Sequence, residues 1–388
     1  MFVMVLTFLN LVAVTGILVG LIEGISNSFR LQYTGDIVVL PLPDKSFIED
    51  SPGVLQFVST LPQVTSYSAR YVAGGSVEGN YLTRKAGEKP ERGGAQVFGI
   101  DPAAEDQLSH LSNFVIEGEY LTPGDYDQVL IGAYLLKKYA FGDMPGITPL
   151  TNIVPGSKVL VSVNGNTREM TVKGIVKSKV DQIAVSIFMP AEQFRQMAGV
   201  QNYDLSQVAL RLAPGVEAAS YRDFIKESGL REKARVWTYI DAIPSGVQDI
   251  TNTFAMLGNM ISSVGLVVAS ITIFIVIFIN ALTRRKFIGI LKGIGVSAGA
   301  IEISYVLQSL FYAVIGSILG FALLYGFLVP YLYANPIDFP FSDGILYAPL
   351  DSTLWRIALL VGTTLVAGYI PARMIVQKNT LDSILGRT

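Results

Sequence analysis

The sequence has no cysteine, a single histidine and little charge: Asp, Glu, Lys and Arg make up 15% of 388 residues, against about 25% in an ordinary soluble domain. Without cysteine there is no disulfide, no thiolate nucleophile and no Cys-ligated metal. A lone His110 cannot furnish a His-based zinc site or a catalytic triad. The formal net charge of −2 lacks the surplus of Lys and Arg that phosphate contacts require, which excludes nucleic acid as a partner class. No G-x-x-x-x-G-K-[ST] segment occurs, so this polypeptide has no Walker A nucleotide site. Apolar residues are what it has in excess. Hydrophobic residues reach 51% and mean hydropathy is +0.46, which excludes a disordered chain and puts part of it in lipid.

Four stretches free of charge account for the deficit: 1–22, 250–283, 303–337 and 357–372. About 20 apolar residues cross a bilayer as a helix, so four transmembrane helices are expected, at 1–23, 256–282, 303–329 and 354–373. The first stretch lacks the basic n-region and the A-x-A site of a cleaved signal, and reads as a retained anchor. The sequence begins almost at this stretch, which leaves an upstream start open. Gly16, Gly20 and Gly24 put small residues on one face of the first helix, suited to packing within the subunit or between subunits.

Loop charges set an orientation. Arg284, Arg285, Lys286 and Lys292 lie between the second and third stretches, and Arg373, Lys378 and Arg387 follow the fourth. Such bases mark the cytoplasmic side. The 330–353 loop carries Asp338, Asp343 and Asp351 without a base and is expected outside. Both termini, the 283–302 loop and the 374–388 tail are then cytoplasmic. Residues 24–255 become an extracytoplasmic domain on a multi-pass plasma-membrane (bacterial inner-membrane) protein.

Short strands and helices mix in that domain, predicting an α+β fold. Strands are read at Asp36–Leu40, Gln96–Ile100, Ile187–Met189 and Val208–Leu212. Helices are read at Phe47–Leu61 with an interruption at Pro52, at Ala191–Met197 and at Val216–Ser228. Asn164-Gly165 between two alternating runs predicts a hairpin with a type I′ turn. Chemistry is scarce. Glu117 with Glu119 and Asp125 with Asp127 read as solvated loop acids, and His110 beside Leu108 and Leu111 as structural. Gly74-Gly75 and Gly93-Gly94 bracket a charged stretch that reads as a mobile loop. Nothing marks the chain as an enzyme.

The most informative segment is TRRKFIGILKGIGVSAGAI, from Thr283 to Ile301. Three bases at a membrane exit suit anionic lipid headgroups. Phe287, Ile288, Ile290, Leu291 and Ile294 then recur at helical spacing, with Lys292 on the wetter side and Gly289, Gly293 and Gly295 keeping parts of the surface small. An apolar ridge facing the cytosol calls for a cover, either the bilayer surface or a partner protein.

This segment resembles the cytoplasmic elbow of FtsX-like and MacB-like ABC transporter permeases, close to RRREIGILRAIGA. Arg284, Arg285 and Lys286 match its basic run, Ile288 to Leu291 its I-G-[IV]-L core and Lys292 to Gly295 the residues after it, while Phe287 replaces a Glu. Near the C-terminus Pro371, Ala372 and Arg373 match a P-A-R ending, with Thr380 in place of a second Pro and Leu385 at the leucine position. VIEGEYLTPGDYDQVLIGAYLLKKY, followed by Pro155-Gly156 and the hairpin, is similar to the family's exported-domain pattern.

The resemblance implies a non-catalytic subunit with no cofactor of its own, ATP and Mg²⁺ lying on a cytoplasmic ABC ATPase. It further implies a second permease copy or paralogue, a periplasmic adaptor or other extracytoplasmic partner, and membrane lipids around the helices. The exported domain would have a ferredoxin-like lobe and an inserted β-rich lobe, with residues 246–258 as a stalk. Movement of the elbow would pass to that domain and drive export of a lipoprotein, glycolipid, peptide or drug. The alternative is an FtsX-like signalling subunit that activates an extracellular cell-wall hydrolase. A membrane-anchored enzyme fits less well, for want of a nucleophile or a metal set.

Overall fold

The computed structural model describes residues 2–85, 87, 89–140, 148–335, 337–339, 342–344 and 346–377. In chain order its principal elements are α1 (Phe2–Thr34), β1 (Ile37–Leu40), α2 (Ser51–Thr60), β2 (Val64–Glu78), β3 (Arg92–Ile100), α3 (Pro102–Ser109), β4 (Val115–Gly118) and β5 (Gln128–Gly132). There follow β6 (Lys158–Val163), β7 (Asn166–Val176), β8 (Ser186–Pro190), α4 (Ala191–Ala198), β9 (Gln207–Leu212), α5 (Ala218–Glu227) and β10 (Arg235–Thr238). The chain ends with α6 (Ser245–Thr283), α7 (Arg285–Gly293), α8 (Ala298–Ala334) and α9 (Leu350–Val376). The residues divide into two units, Met1–Gly24 with Gly246–Phe339 and Asp343–Thr388, and Ile25–Ser245 with Pro340–Ser342.

The larger unit is the α+β domain, and its sheet explains how the chain is threaded. β1 lies between β10 and β9, and β9 pairs on to the first half of β2, all antiparallel. Taken as four strands with α2 and α5 as crossovers, the order is that of a ferredoxin-like lobe. β2 then continues into a second lobe. Its Tyr71–Glu78 half pairs with β3 and its last four residues also pair with β6. From β3 the pairing passes to β8, β5, β7 and β6 and so returns to β2, closing six strands on themselves and leaving no open edge among them. Gly75 sits where β6 crowds β2: a Cβ there would stand 2.3 Å from the Ser162 carbonyl oxygen. Val159, Val161, Val163, Val172, Ile131 and Ile187 are fully buried in this domain's core.

The hairpin forms as its sequence requires, with Asn164 at φ 49° and Gly165 at φ 85°. Pro52 does not interrupt a helix from Phe47 to Leu61. The helix starts at Ser51, Pro52 takes its first turn, where its missing N–H costs nothing, and the Asp50 carboxylate accepts from the Gly53 N–H. Gly93 and Gly94 are not loop brackets but strand residues of β3, paired with Val77 and Ser76 of β2. Of the charged stretch between β2 and β3, Ala86 and Glu88 lie outside the described residues.

Among the described residues the other unit holds four helices long and apolar enough to cross a membrane: α1, α6, α8 and α9. They pack through small residues, as expected where lipid offers no hydrophobic drive. A Cβ on Gly316 would come 2.5 Å from Met4 Cβ, and one on Gly320 would come 2.3 Å from the Phe8 ring. Gly368 of α9 receives Ser309 of α8 in the same way, at 2.5 Å. Hydroxyls serve as local and interhelical links: Thr15 Oγ1 reaches the Leu11 carbonyl at 2.9 Å and Ser262 Oγ at 2.8 Å. Among the described residues three π-helical stretches, Asn10–Val14 and Arg30–Thr34 in α1 and Leu324–Leu328 in α8, widen these helices locally.

Candidate functional site

The segment singled out by sequence forms α7, a nine-residue helix that starts directly after α6. Arg284 supplies the break between them, at φ −97° and ψ 10°. After Gly293 the chain turns through Gly295 at φ 98°, a conformation that suits glycine, and Ser297 caps α8 by accepting from the Ala300 N–H at 3.3 Å.

The apolar residues of α7 do not share one fate. Ile288 is 4% exposed and belongs to the buried cluster that includes Ala281, Ile301, Tyr305 and Val376. Phe287 and Ile294, at 67% and 73%, stand in the open, and Ile290 and Leu291 are also exposed. Ile288 is thus an anchor to the helix bundle rather than part of the outward ridge. Lys292 is not simply on the wetter side. Its Nζ donates to the Val376 carbonyl at 2.9 Å, one of the last carbonyls of α9, where a helix has no partner of its own. Gly289 is buried, whereas Gly293 and Gly295 face open space. Arg284 and Lys286 are exposed beside the ridge and Arg285 is half-buried.

The C-terminal motif lies against this anchor. Pro371 is buried inside α9, where its missing N–H leaves the Ala367 carbonyl without its helical donor. Ala372 is fully buried and the Arg373 guanidinium sits 5.8 Å from the Tyr369 ring centre. Lys378, Thr380, Leu385 and Arg387 lie outside the described residues. Of the glycine series on α1, Gly16 packs within its own unit: its carbonyl accepts from the Tyr347 N–H at 3.0 Å, and a Cβ would meet Leu346 at 2.8 Å. Gly20 is buried and Gly24 half-buried.

Polar groups inside the helix unit are few and mostly matched. Asn280 Nδ2 donates to Gln308 Oε1 at 3.1 Å, and Gln308 Nε2 to the Tyr312 hydroxyl at 2.9 Å, tying α6 to α8. Asn10 Oδ1 sits where a side chain on Gly265 would be. Arg356, within the expected 354–373 helix, lies in α9, and its Nη1 donates to the Leu11 carbonyl at 3.3 Å.

In the α+β domain Glu117, Asp125 and Asp127 are ion-paired rather than merely solvated, whereas Glu119 is exposed, as its sequence reading expects. Asp125 meets Lys173 at 2.6 Å with both side chains largely buried, and Asp127 meets Arg168 at 2.7 Å. Glu117 accepts from Lys138 and from the Tyr139 hydroxyl, which hold its carboxyl below the usual range. His110 is exposed and caps α3 at φ 52°. Sequence reading missed a buried cluster. Arg70 forks onto Glu105 with two bonds of 2.6 Å, and Ser68 and Ser109 also donate to that carboxylate. Arg70 Nη1 donates to the Tyr33 carbonyl at 2.7 Å. Burial, then the Glu105 charge, raises Tyr120 well above the ordinary phenol range, so it stays a neutral donor to the Pro102 carbonyl. These residues are far apart in sequence and carry no local signal; they satisfy each other and present no group to a substrate.

Residues 259–380 match the FtsX-like permease C-terminal family. A probable export ATP-binding/permease protein MacB of Pseudomonas entomophila is 21% identical over 263 residues, covering 66% of this chain and 37% of that protein. The macrolide export ATP-binding/permease protein MacB of Neisseria gonorrhoeae is 25% identical over 172 residues, covering 41% of this chain and 25% of that protein. The chain therefore spans well under half the length of these relatives. Among solved structures, the periplasmic region of MacB from Actinobacillus actinomycetemcomitans aligns with 56% of this chain and 92% of its own length, at 15% identity and a TM-score of 0.36.

Proposed function

We propose, on the premise that the chain belongs to the FtsX-like permease family through residues 259–380, that it is the membrane subunit of an ATP-driven ABC complex. In this reading a cytosolic ATPase docks on α7, ATP and Mg²⁺ are held outside these 388 residues, and closure of the ATPase shifts α7 and with it α6. Because α6 is one uninterrupted helix from Ser245 to Thr283, a displacement at Thr283 is carried along its axis rather than absorbed in a hinge. The exported domain, joined covalently to α1 and α6, then moves to extract or export a hydrophobic or envelope-associated cargo: a lipoprotein, glycolipid, peptide or drug. The names of the relatives, with ATP-binding and permease functions together, support an ATPase partner. A second permease copy or paralogue, an extracytoplasmic adaptor and an inner-membrane location with α7 in the cytosol complete the proposal.

The observation that carries it is the split of α7. Ile288 and Lys292 fasten the helix to the bundle, and Phe287, Ile290, Leu291 and Ile294 remain exposed beside a basic rim. Each such side chain is worth about 1.5–3 kcal/mol when fully buried, so a partner that covers the ridge gains enough to stay bound. Ile290→Asp with Leu291→Asp is expected to abolish copurification of the ATPase while leaving the chain folded in membranes, since both side chains point away from the core. ATPase copurification unchanged by the pair would remove α7 as the docking surface.

A further inference from the structure

Arg356 is a cation placed where a bilayer does not favour one. It lies six residues into α9, about 9 Å along the axis from the helix start and two residues inside the expected 354–373 span. A guanidinium stays charged at any physiological pH and presents five N–H donors. Among the described residues its one hydrogen-bond partner is the Leu11 carbonyl at 3.3 Å, an oxygen already shared with Thr15, and no carboxylate pairs with it. An uncompensated cation at that depth calls for an anion.

Beside it, between α6 and α9, runs an open groove of about 580 Å³, lined among others by Ile271, Phe274, Leu359, Gly362, Thr363 and Val366. Leu359 and Thr363 follow Arg356 by three and seven residues, so all three share a face of α9. Helical side chains tilt toward the helix N-terminus, which aims the guanidinium away from the groove and toward the nearer membrane surface. From Leu359 to Ile370 the groove is about 16 Å long, close to one leaflet of a hydrocarbon core about 30 Å thick. At Gly362 nothing lies within 4 Å of where a Cβ would be, which keeps the groove open at mid-length.

We propose that Arg356 and the α6–α9 groove bind one anionic phospholipid, its phosphate on the guanidinium and one acyl chain in the groove. Charge decides for a lipid over a second copy of the chain, whose four apolar stretches hold no carboxylate to offer at this depth. The site depends on bilayer depth alone and stands whether or not α7 docks an ATPase.

The test uses the full chain in phosphatidylcholine nanodiscs doped with phosphatidylglycerol, followed by native mass spectrometry of the lipid retained after release. The unaltered chain is expected to retain phosphatidylglycerol about fivefold more than Arg356→Gln, the worth of one base near anionic lipid. Arg356→Lys should keep part of that preference, and Gly362→Leu should lower retention of both lipids by filling the groove. Thermal unfolding in detergent without added lipid shows that each variant is folded. Equal phosphatidylglycerol retention by Arg356→Gln and the unaltered chain would overturn the proposal, as would unchanged retention by Gly362→Leu. Displacement of phosphatidylglycerol by millimolar inorganic phosphate would reassign the cation to free phosphate. Disulfide capture between two copies carrying Gly362→Cys would reassign the groove to self-association.

Discussion

In the α+β domain Val159, Val161, Ile131 and Ile187 point into the core and charged side chains hold the rim, whereas along α6 apolar side chains face both inward and outward. There Gly258, Gly265, Ala269, Ile273, Ile277 and Ala281 face inward, while Val264, Val267, Ile271 and Ile275 face out. Water drives the first arrangement and is absent from the second. The two units also treat buried polarity differently. The α+β domain encloses a full charge pair, Arg70 with Glu105, and satisfies it with Ser68 and Ser109. The helix unit relies on hydroxyls bonded to carbonyls one turn back and on the neutral Asn280–Gln308–Tyr312 chain. Arg356 breaks that rule, and its lack of a carboxylate partner is what singles it out. The lesson is that a buried residue in the two units reports on different forces, so equivalent substitutions should have unequal effects.

The sharpest way to break the comparison is at the charge pair. Glu105→Ala leaves the Arg70 guanidinium buried without its counter-charge and is expected to cost about 3–5 kcal/mol, read as a lower denaturation midpoint of the α+β domain. A change below 1 kcal/mol would mean that water reaches the pair. On the membrane side, Gly320→Leu drives a branched side chain into the Phe8 ring and should cost about 1–3 kcal/mol, seen as loss of folded material on heating in detergent. Tolerance of that change would show that the α1–α8 contact is looser than a water-driven core.

Gly165→Ala tests local geometry alone. At φ 85° it should destabilise the α+β domain by about 1 kcal/mol, with no effect on the helix unit. The smallest effect concerns pH. The Glu117 carboxyl is lowered by its bonds to Lys138 and Tyr139, so the unfolded state binds its proton more readily than the folded one. Its contribution is therefore present above the unfolded carboxylate range and is lost as pH falls through the folded value. Glu117→Gln should lower stability slightly at neutral pH, where that contribution is present, and flatten the acid side of the profile until the two proteins converge.

Much of the site could be read from order along the chain, because charge, periodicity and glycine act over a few residues. The runs free of charge gave four helices and the bases gave the segment at α7, since both depend on local composition. The Asn-Gly turn and the Pro-Gly and P-A-R segments carry their conformations with them. β2 escaped notice because a 15-residue strand that serves two lobes alternates weakly, with different partners over its two halves. Pro52 misled because the same residue can end a helix or begin one, and the choice fell to the Asp50 cap.

The sequence by itself determined which segments lie in lipid, which form an α+β domain between the first and second of them, and where the exposed apolar helix falls. Tertiary structure alone decided that Ile288 faces the bundle while Ile290 and Leu291 face out, that Lys292 caps α9, and that Arg70 meets Glu105 across 35 positions. It also set Arg356, already inside the expected 354–373 helix, beside Leu11, 345 positions away. Periodicity names a face but not its neighbour, and a charge finds its partner only when the chain has closed the distance between them.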